Sequence, residues 1–182
     1  CRLGVDQDND YAAFAAFVDR QVQAGAAMVV VHARNAWLQG LSPKENREVP
    51  PLRYEVVHRL KRDFPRATIV LNGGLADWRT IEAELESVDG VMLGRTAYHD
   101  PYFLAHVDSR LFGDDAPPPT RAAVLEAMLP YVAAQLARGT PLRSIARHML
   151  GLYHGCSGGR RYRQLLSDAR RLKGAGPELL RE

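Results

Sequence analysis

The chain has 182 residues, 46% hydrophobic and 25% charged, with a formal net charge of +3. That balance supports a packed globular core and excludes low-complexity disorder, and no apolar run approaches the ~18 residues of a membrane-spanning helix. Its two cysteines, Cys1 and Cys156, make neither a disulfide framework nor a metal spacing, so a reducing cytoplasm and no metal are expected.

In chain order, residues 1–5 (CRLGV) read as the end of a strand already under way, and the expectation is a fragment missing its amino-terminal part. Asp6, Asp8 and Asp10 alternate as ligands do in a calcium loop. Tyr11 stands where that loop needs glycine, however, and Phe17 where it needs a bidentate carboxylate, so a metal site is rejected. Asn9 or Asp10 instead caps a helix with Tyr11, Phe14, Ala15, Val18 and Val22 on one face, ended by Gly25. Residues 26–31 (AAMVVV) are apolar without a break and too short for a helix, the pattern of a strand buried on both faces. His32 and Arg34 follow at its carboxyl end. A long loop then carries Lys44, Asn46 and Arg47 near its tip and closes at Pro50-Pro51. Loops of that length usually have a function; the plain alternative is a solvated connection beside a core histidine.

Tyr54, Val57, Leu60 and Lys61 open an amphipathic helix that stops before Pro65. A second strand, 67–71, ends in Asn72-Gly73-Gly74; a helix takes Trp78, Ile81 and Leu85; a third strand, 90–93, ends in Gly94-Arg95. Strand, loop and helix in repeated order predict parallel strands with crossover helices, an α/β domain. Residues 97–111 look helical with Pro101 in the first turn. Residues 113–119 (GDDAPPP) form a linker, which divides the chain into domains 1–112 and 120–182.

The remainder reads as helical. Thr120 caps a helix carrying Val124, Leu125, Met128, Leu129, Val132 and Leu136, with a kink expected at Pro130. Leu142, Ile145, Ala146, Met149, Leu150 and Tyr153 mark the next. Over 160–173 the periodicity sets Tyr162, Leu165, Leu166, Ala169 and Leu172 on one face and Arg160, Arg163, Arg170 and Arg171 on the other. Charge divides with the linker: residues 1–120 hold 13 Lys/Arg against 17 Asp/Glu, and residues 121–182 hold 11 against 4. A basic carboxyl-terminal module beside an acidic body suggests a polyanionic partner, the plain alternative being a merely soluble basic surface.

In parallel α/β sheets ligands gather at the carboxyl ends of the strands, where the connecting loops converge. Here those ends are His32-Ala33-Arg34, Asn72-Gly73-Gly74 and Gly94-Arg95. Glycines let a backbone approach a ligand and leave N–H groups uncovered, and Arg95 can fork onto phosphate oxygens. Two consecutive glycine-bearing ends before the linker match the phosphate site of a (β/α)8 barrel, built after its last two strands. His32 is placed to hydrogen-bond a flavin ring or a substrate carbonyl, or to be a satisfied histidine at the barrel mouth.

The runs HARNAWLQGLSPKENREVPPL, NGG, DGVMLGRTAYHDP, RHMLGLYHG and GGRRYRQLLS, in this order, resemble the tRNA-dihydrouridine synthase A family across essentially the whole chain. The resemblance implies the carboxyl-terminal part of a TIM barrel that binds FMN, followed by a small all-α helical bundle that binds tRNA. It implies reduction of D-loop uridines to dihydrouridine with NADPH recharging the flavin, in a monomer. On the matching positions, His32, Asn72, Gly73, Gly74, Gly94 and Arg95 would hold FMN, and Lys44, Arg47, Arg160 and Arg163 would touch tRNA. The family's general acid, a cysteine in Asn-x-Gly-Cys-Pro, has no counterpart among these residues, nor has the flavin-contacting lysine that precedes the Cys1 position. CSGGR around Cys156 also replaces a more usual proline-containing turn. The fragment is therefore expected to be inactive alone, with two bare sheet edges and an uncovered barrel interior. The competing readings are another FMN- or phosphate-binding barrel enzyme acting on a small molecule, and a non-catalytic RNA-binding module.

Overall fold

A computed structural model describes residues 1–181. It divides into two compact units, Cys1–Gly94 and Arg95–Glu182, taken here one at a time. In the first, helices α1 (Tyr11–Gln23), α2 (Tyr54–Asp63) and α3 (Trp78–Leu85) alternate with strands β1 (Val29–His32), β2 (Ile69–Asn72) and β3 (Gly90–Met92). The strands are parallel and lie in the order β1-β2-β3. The α/β expectation holds for this unit. Asp10 is the cap of α1, accepting from the Ala12 and Ala13 N–H groups, and Asp77 caps α3 through Thr80. Phe14 and Val18 of α1, Val57 and Leu60 of α2, and Ile81 of α3 are buried, as are Val31, Ile69 and Leu71 of the sheet.

Two expectations about the sheet change. The run 26–31 is not a strand buried throughout: β1 starts only at Val29, alternates buried and half-buried positions, and leaves Met28 54% exposed. Nor are both edges bare. Residues 1–5 run parallel to β1 and beyond it, with bridges Arg2 to His32 and Val5 to Ala36. The His32 N–H donates to the Cys1 carbonyl at 2.9 Å and the Cys1 amino group donates to the Val30 carbonyl at 2.8 Å, so this edge of β1 is covered in part.

The second unit is helical among its described residues: α4 (Arg95–His99), α5 (Val107–Leu111), α6 (Arg121–Ala137), α7 (Leu142–Ala146), α8 (Gly159–Ser167) and α9 (Ala169–Leu172). Short 3-10 turns at Pro101–His106 and Pro177–Arg181 join them. Leu125, Leu129, Val132, Leu142, Ile145, Leu166 and Leu172 belong to one apolar cluster. Thr120 caps α6 through the Ala123 N–H, and α6 continues through Pro130.

Three continuous helices expected from periodicity are broken here. Pro101 bars Asp100 from helical geometry (φ −134°, ψ 76°) and splits 97–111 into three pieces. The helix from Leu142 ends at Ala146 and continues as tight turns, with Met149 and Leu152 bonding three residues back. Within them Gly151 lies so close to the His99 carbonyl that a Cβ would sit 2.2 Å from its oxygen. Asp168 leaves the helix (ψ 101°) to cap α9 through the Arg170 and Arg171 N–H groups, and Ala169 is exposed. The domain boundary moves as well. The linker 113–119 is irregular, yet the segment before it packs with the later helices: the Tyr102 hydroxyl donates to the Pro119 carbonyl and the Arg121 guanidinium lies 3.7 Å over the Tyr102 ring.

Asp89 shows how β2 is anchored in the first unit. Its carboxylate accepts from the Ile69 N–H at 2.8 Å and from Lys61 Nζ at 2.7 Å. Desolvation pushes its pKa up, but these bonds outweigh that and hold it below the usual value. A carboxylate lowered on folding stabilises above its unfolded pKa, and that contribution is lost as the pH falls through its folded one. Asp89→Asn is therefore expected to lower the urea midpoint at pH 7, with the gap to wild type narrowing below about pH 4. A gap independent of pH would show that the charge contributes nothing.

Candidate functional site

The parallel register aligns His32 with Asn72 and Asn72 with Met92, so the carboxyl ends of the three strands form one row. Side chains at that row converge. The Asn72 amide donates to Met92 Sδ at 3.4 Å. The His32 ring lies against Gly73: a Cβ there would sit 3.1 Å from Cε1 and 3.2 Å from Nε2. Gly73 (φ 109°) and Gly74 (φ 72°) both lie in the left-handed region, which glycine alone enters freely. A Cβ on Gly74 would come within 2.4 Å of Leu52 Cδ1 and 2.9 Å of the Tyr54 hydroxyl. That hydroxyl donates to the Gly73 carbonyl at 2.7 Å, and burial, with the Glu84 charge next, pushes its ionisation up so that it stays a donor.

Gly94 differs. Beyond its two chain neighbours no described residue lies within 4 Å of where its Cβ would be, so none of them demands glycine there. Neither the Gly74 nor the Gly94 backbone N–H donates to another described residue. His32, Asn72, Gly73 and Gly74 are thus brought together, and Gly94 follows two residues beyond β3 in the same unit. Arg95 is exposed and opens α4 in the other unit.

The long loop is ordered by its own polar groups. The Asn46 side chain pairs with the Trp37 backbone twice, accepting from its N–H and donating to its carbonyl. Ser42 and Glu45 bond reciprocally at the start of the 3-10 turn Glu45–Arg47: the Ser42 N–H donates to the Glu45 carboxylate and the Glu45 N–H to the Ser42 hydroxyl. Lys44 and Arg47 are exposed on this turn. At the loop's base Arg34, 8% exposed, donates to the Pro50 carbonyl, and the Asn35 amide donates to the Asp6 and Asp8 carbonyls and to Asn9.

Arg2 had no place in the sequence reading. It bridges to His32 in the sheet, and its Nη1 donates to the Asn35 and Asn46 carbonyls at 2.9 and 2.8 Å. Burial first and the Arg47 guanidinium second push its pKa down. One side chain thereby ties the histidine end of β1 to the turn bearing Lys44 and Arg47. A polar residue next to Cys1 was its only sequence signal. In the second unit Arg160 and Arg163 are exposed on α8.

A family model described as dihydrouridine synthase matches residues 1–182. A protein of Xanthomonas campestris pv. campestris named tRNA-dihydrouridine(20/20a) synthase is 58% identical over all 182 residues, which make up 54% of its own length. Proteins of the same name from Xanthomonas axonopodis pv. citri and Xylella fastidiosa (strain Temecula1) are 57% identical over 182 residues and 56% over 172. These cover 100% and 92% of the chain and 54% and 50% of the relatives. The chain spans about half the length of the curated relatives it matches.

The two glycine-bearing ends separate experimentally. Gly74→Ala, strained in φ and pressed on Leu52, is expected to destabilise by about 1–3 kcal/mol. Gly94→Ala, with open space around it, should stay within about 0.5 kcal/mol of wild type. Urea denaturation of both variants checks this, and equal effects would contradict the geometry.

Proposed function

This chain belongs to the dihydrouridine synthase family, and from that membership we propose that it is part of a flavin-dependent tRNA-dihydrouridine synthase. The enzyme would reduce D-loop uridines of tRNA, at the 20/20a positions that its relatives' name carries, with NADPH as reductant. The first unit would be the carboxyl-terminal part of a TIM barrel. Strands parallel and adjacent in chain order fit that wall. The observation that carries the reading is the row of His32, Asn72, Gly73 and Gly74 at the carboxyl end of this sheet, continued by Gly94.

The residues fit FMN. Gly74 and Gly94 offer backbone N–H groups that donate to no other described residue, and the space beside Gly94 is what an approaching phosphate needs. Arg95, next in sequence, would add the guanidinium fork. His32 and Asn72 would hold the flavin by hydrogen bonds, the Gly73 backbone setting the histidine's plane. Bound flavin supplies the hydride for the uracil ring. Lys44 and Arg47 on the first unit, and Arg160 and Arg163 on the second, would hold tRNA phosphates and orient an unstacked base. The cysteine general acid that the family resemblance implies, in an Asn-x-Gly-Cys-Pro run, has no matching run among these residues. Residues 1–182 by themselves are therefore expected to form no dihydrouridine in the presence of NADPH and tRNA.

Flavin and RNA contacts should part under mutation in the full-length enzyme. His32→Ala is expected to loosen FMN, seen as lost visible flavin absorbance after gel filtration. Lys44→Ala with Arg47→Ala should weaken tRNA binding several-fold and leave the flavin in place. Loss of flavin in both variants would sink the two-site reading, and salt-insensitive tRNA binding would sink the RNA one.

A further inference from the structure

Helix α8 opens with three arginines in four positions, Arg160, Arg161 and Arg163. At 100° per residue they and Gln164 sweep the arc opposite Tyr162, Leu165 and Leu166. All three arginines are exposed, and none is ion-paired with another described residue. No acidic side chain stands in the helix's first turn, and its cap, Gly158, contributes no side-chain bond. Cations near a helix amino terminus oppose the helix dipole, so this arrangement is unfavourable until an anion meets it.

Arg161 sits at the margin of that arc and lines two clefts. One, of about 240 Å³, it shares with Tyr153, Tyr162 and Arg181; the other, of about 280 Å³, with Gln164, Asp168 and Arg171. No described carboxylate lies within 4 Å of the Arg161 guanidinium, and the one acidic side chain in these clefts, Asp168, keeps its charge outside that range. Arg181 is held by Glu126 through two bonds of 2.7 and 2.6 Å, and Asp168 is engaged in capping α9. The Tyr162 hydroxyl is buried with no hydrogen-bond partner among the described residues, a donor lacking its acceptor.

We propose that Arg161 makes a phosphate contact of its own with the RNA, so that the backbone continues from the Arg160 and Arg163 side of α8 into the clefts beside Arg161. A guanidinium fork matches a phosphodiester, and positions on both sides of one helix fix the direction of the strand as well as its affinity. This contact rests on the tRNA reading above.

The test is fluorescence anisotropy of a labelled tRNA transcript against the protein at several salt concentrations. Arg161→Gln is expected to bind several-fold more weakly and to reduce the slope of log K against log salt by about 1. Arg161→Lys, which keeps the charge, should retain the slope, as should Arg138→Gln, which removes an exposed charge at the carboxyl end of α6. Salt-dependent wild-type binding with an unchanged slope in Arg161→Gln overturns this contact and leaves the tRNA reading standing. An equal loss in Arg138→Gln or Arg161→Lys overturns it too, as diffuse charge or a damaged fold. No tRNA binding by the wild type overturns both.

Discussion

The register of three short parallel strands governs the first unit. Val29 to His32 pair in step with Ile69 to Asn72, and Val70 to Asn72 with Gly90 to Met92. Side chains alternate across a strand, so a slip of one residue would send His32 and Asn72 to opposite faces and dissolve the row. Nothing in the row itself sets this alignment. Val31, Ile69 and Leu71 set it by burial, with Asp89 holding the first N–H of β2 and the His58–Glu84 contact at 2.6 Å joining α2 to α3. Apolar packing behind the sheet thus positions polar chemistry at its end.

The same economy holds the loop. Arg34 and Asn35 are buried polar side chains, and such groups are costly unless bonded. Both spend their donors on backbone carbonyls of segments that would otherwise drift, Pro50 on one side and Asp6 and Asp8 on the other. Arg2 and Asn46 do likewise further out. Lys44 and Arg47 therefore project from a turn whose backbone is already held, which reduces the ordering cost when they meet a partner.

In the second unit, close backbone approaches shape the charged surface. Gly151 against the His99 carbonyl and Gly159 against the Tyr153 carbonyl leave no room for a Cβ, and the chain breaks its helices near these points. The break at Asp168 separates Arg170 and Arg171 from the arc of α8, so the basic face is two short pieces rather than one stripe. Placing the boundary at Gly94 also tempers the charge contrast: residues 1–94 hold 11 Lys/Arg and 13 Asp/Glu, residues 95–182 hold 13 and 8. The sign survives and the size shrinks.

By itself the sequence determined the local elements and the identities at the strand ends. A cap at Asn9 or Asp10, the cap at Thr120, the helix that stops before Pro65, the alternation of strand and helix, and the glycines after Asn72 are all short-range chemistry, readable within a few residues. The family was legible for the same reason, since its motifs are contiguous runs. Tertiary structure alone decided the rest. Arg2 joins His32 to Asn46, the Gly74 position is closed by Leu52 and Tyr54, residues 95–111 join the later helices, and Asp168 caps rather than continues. Each depends on groups far apart in the chain brought within bonding distance, and periodicity carries no information about such distances.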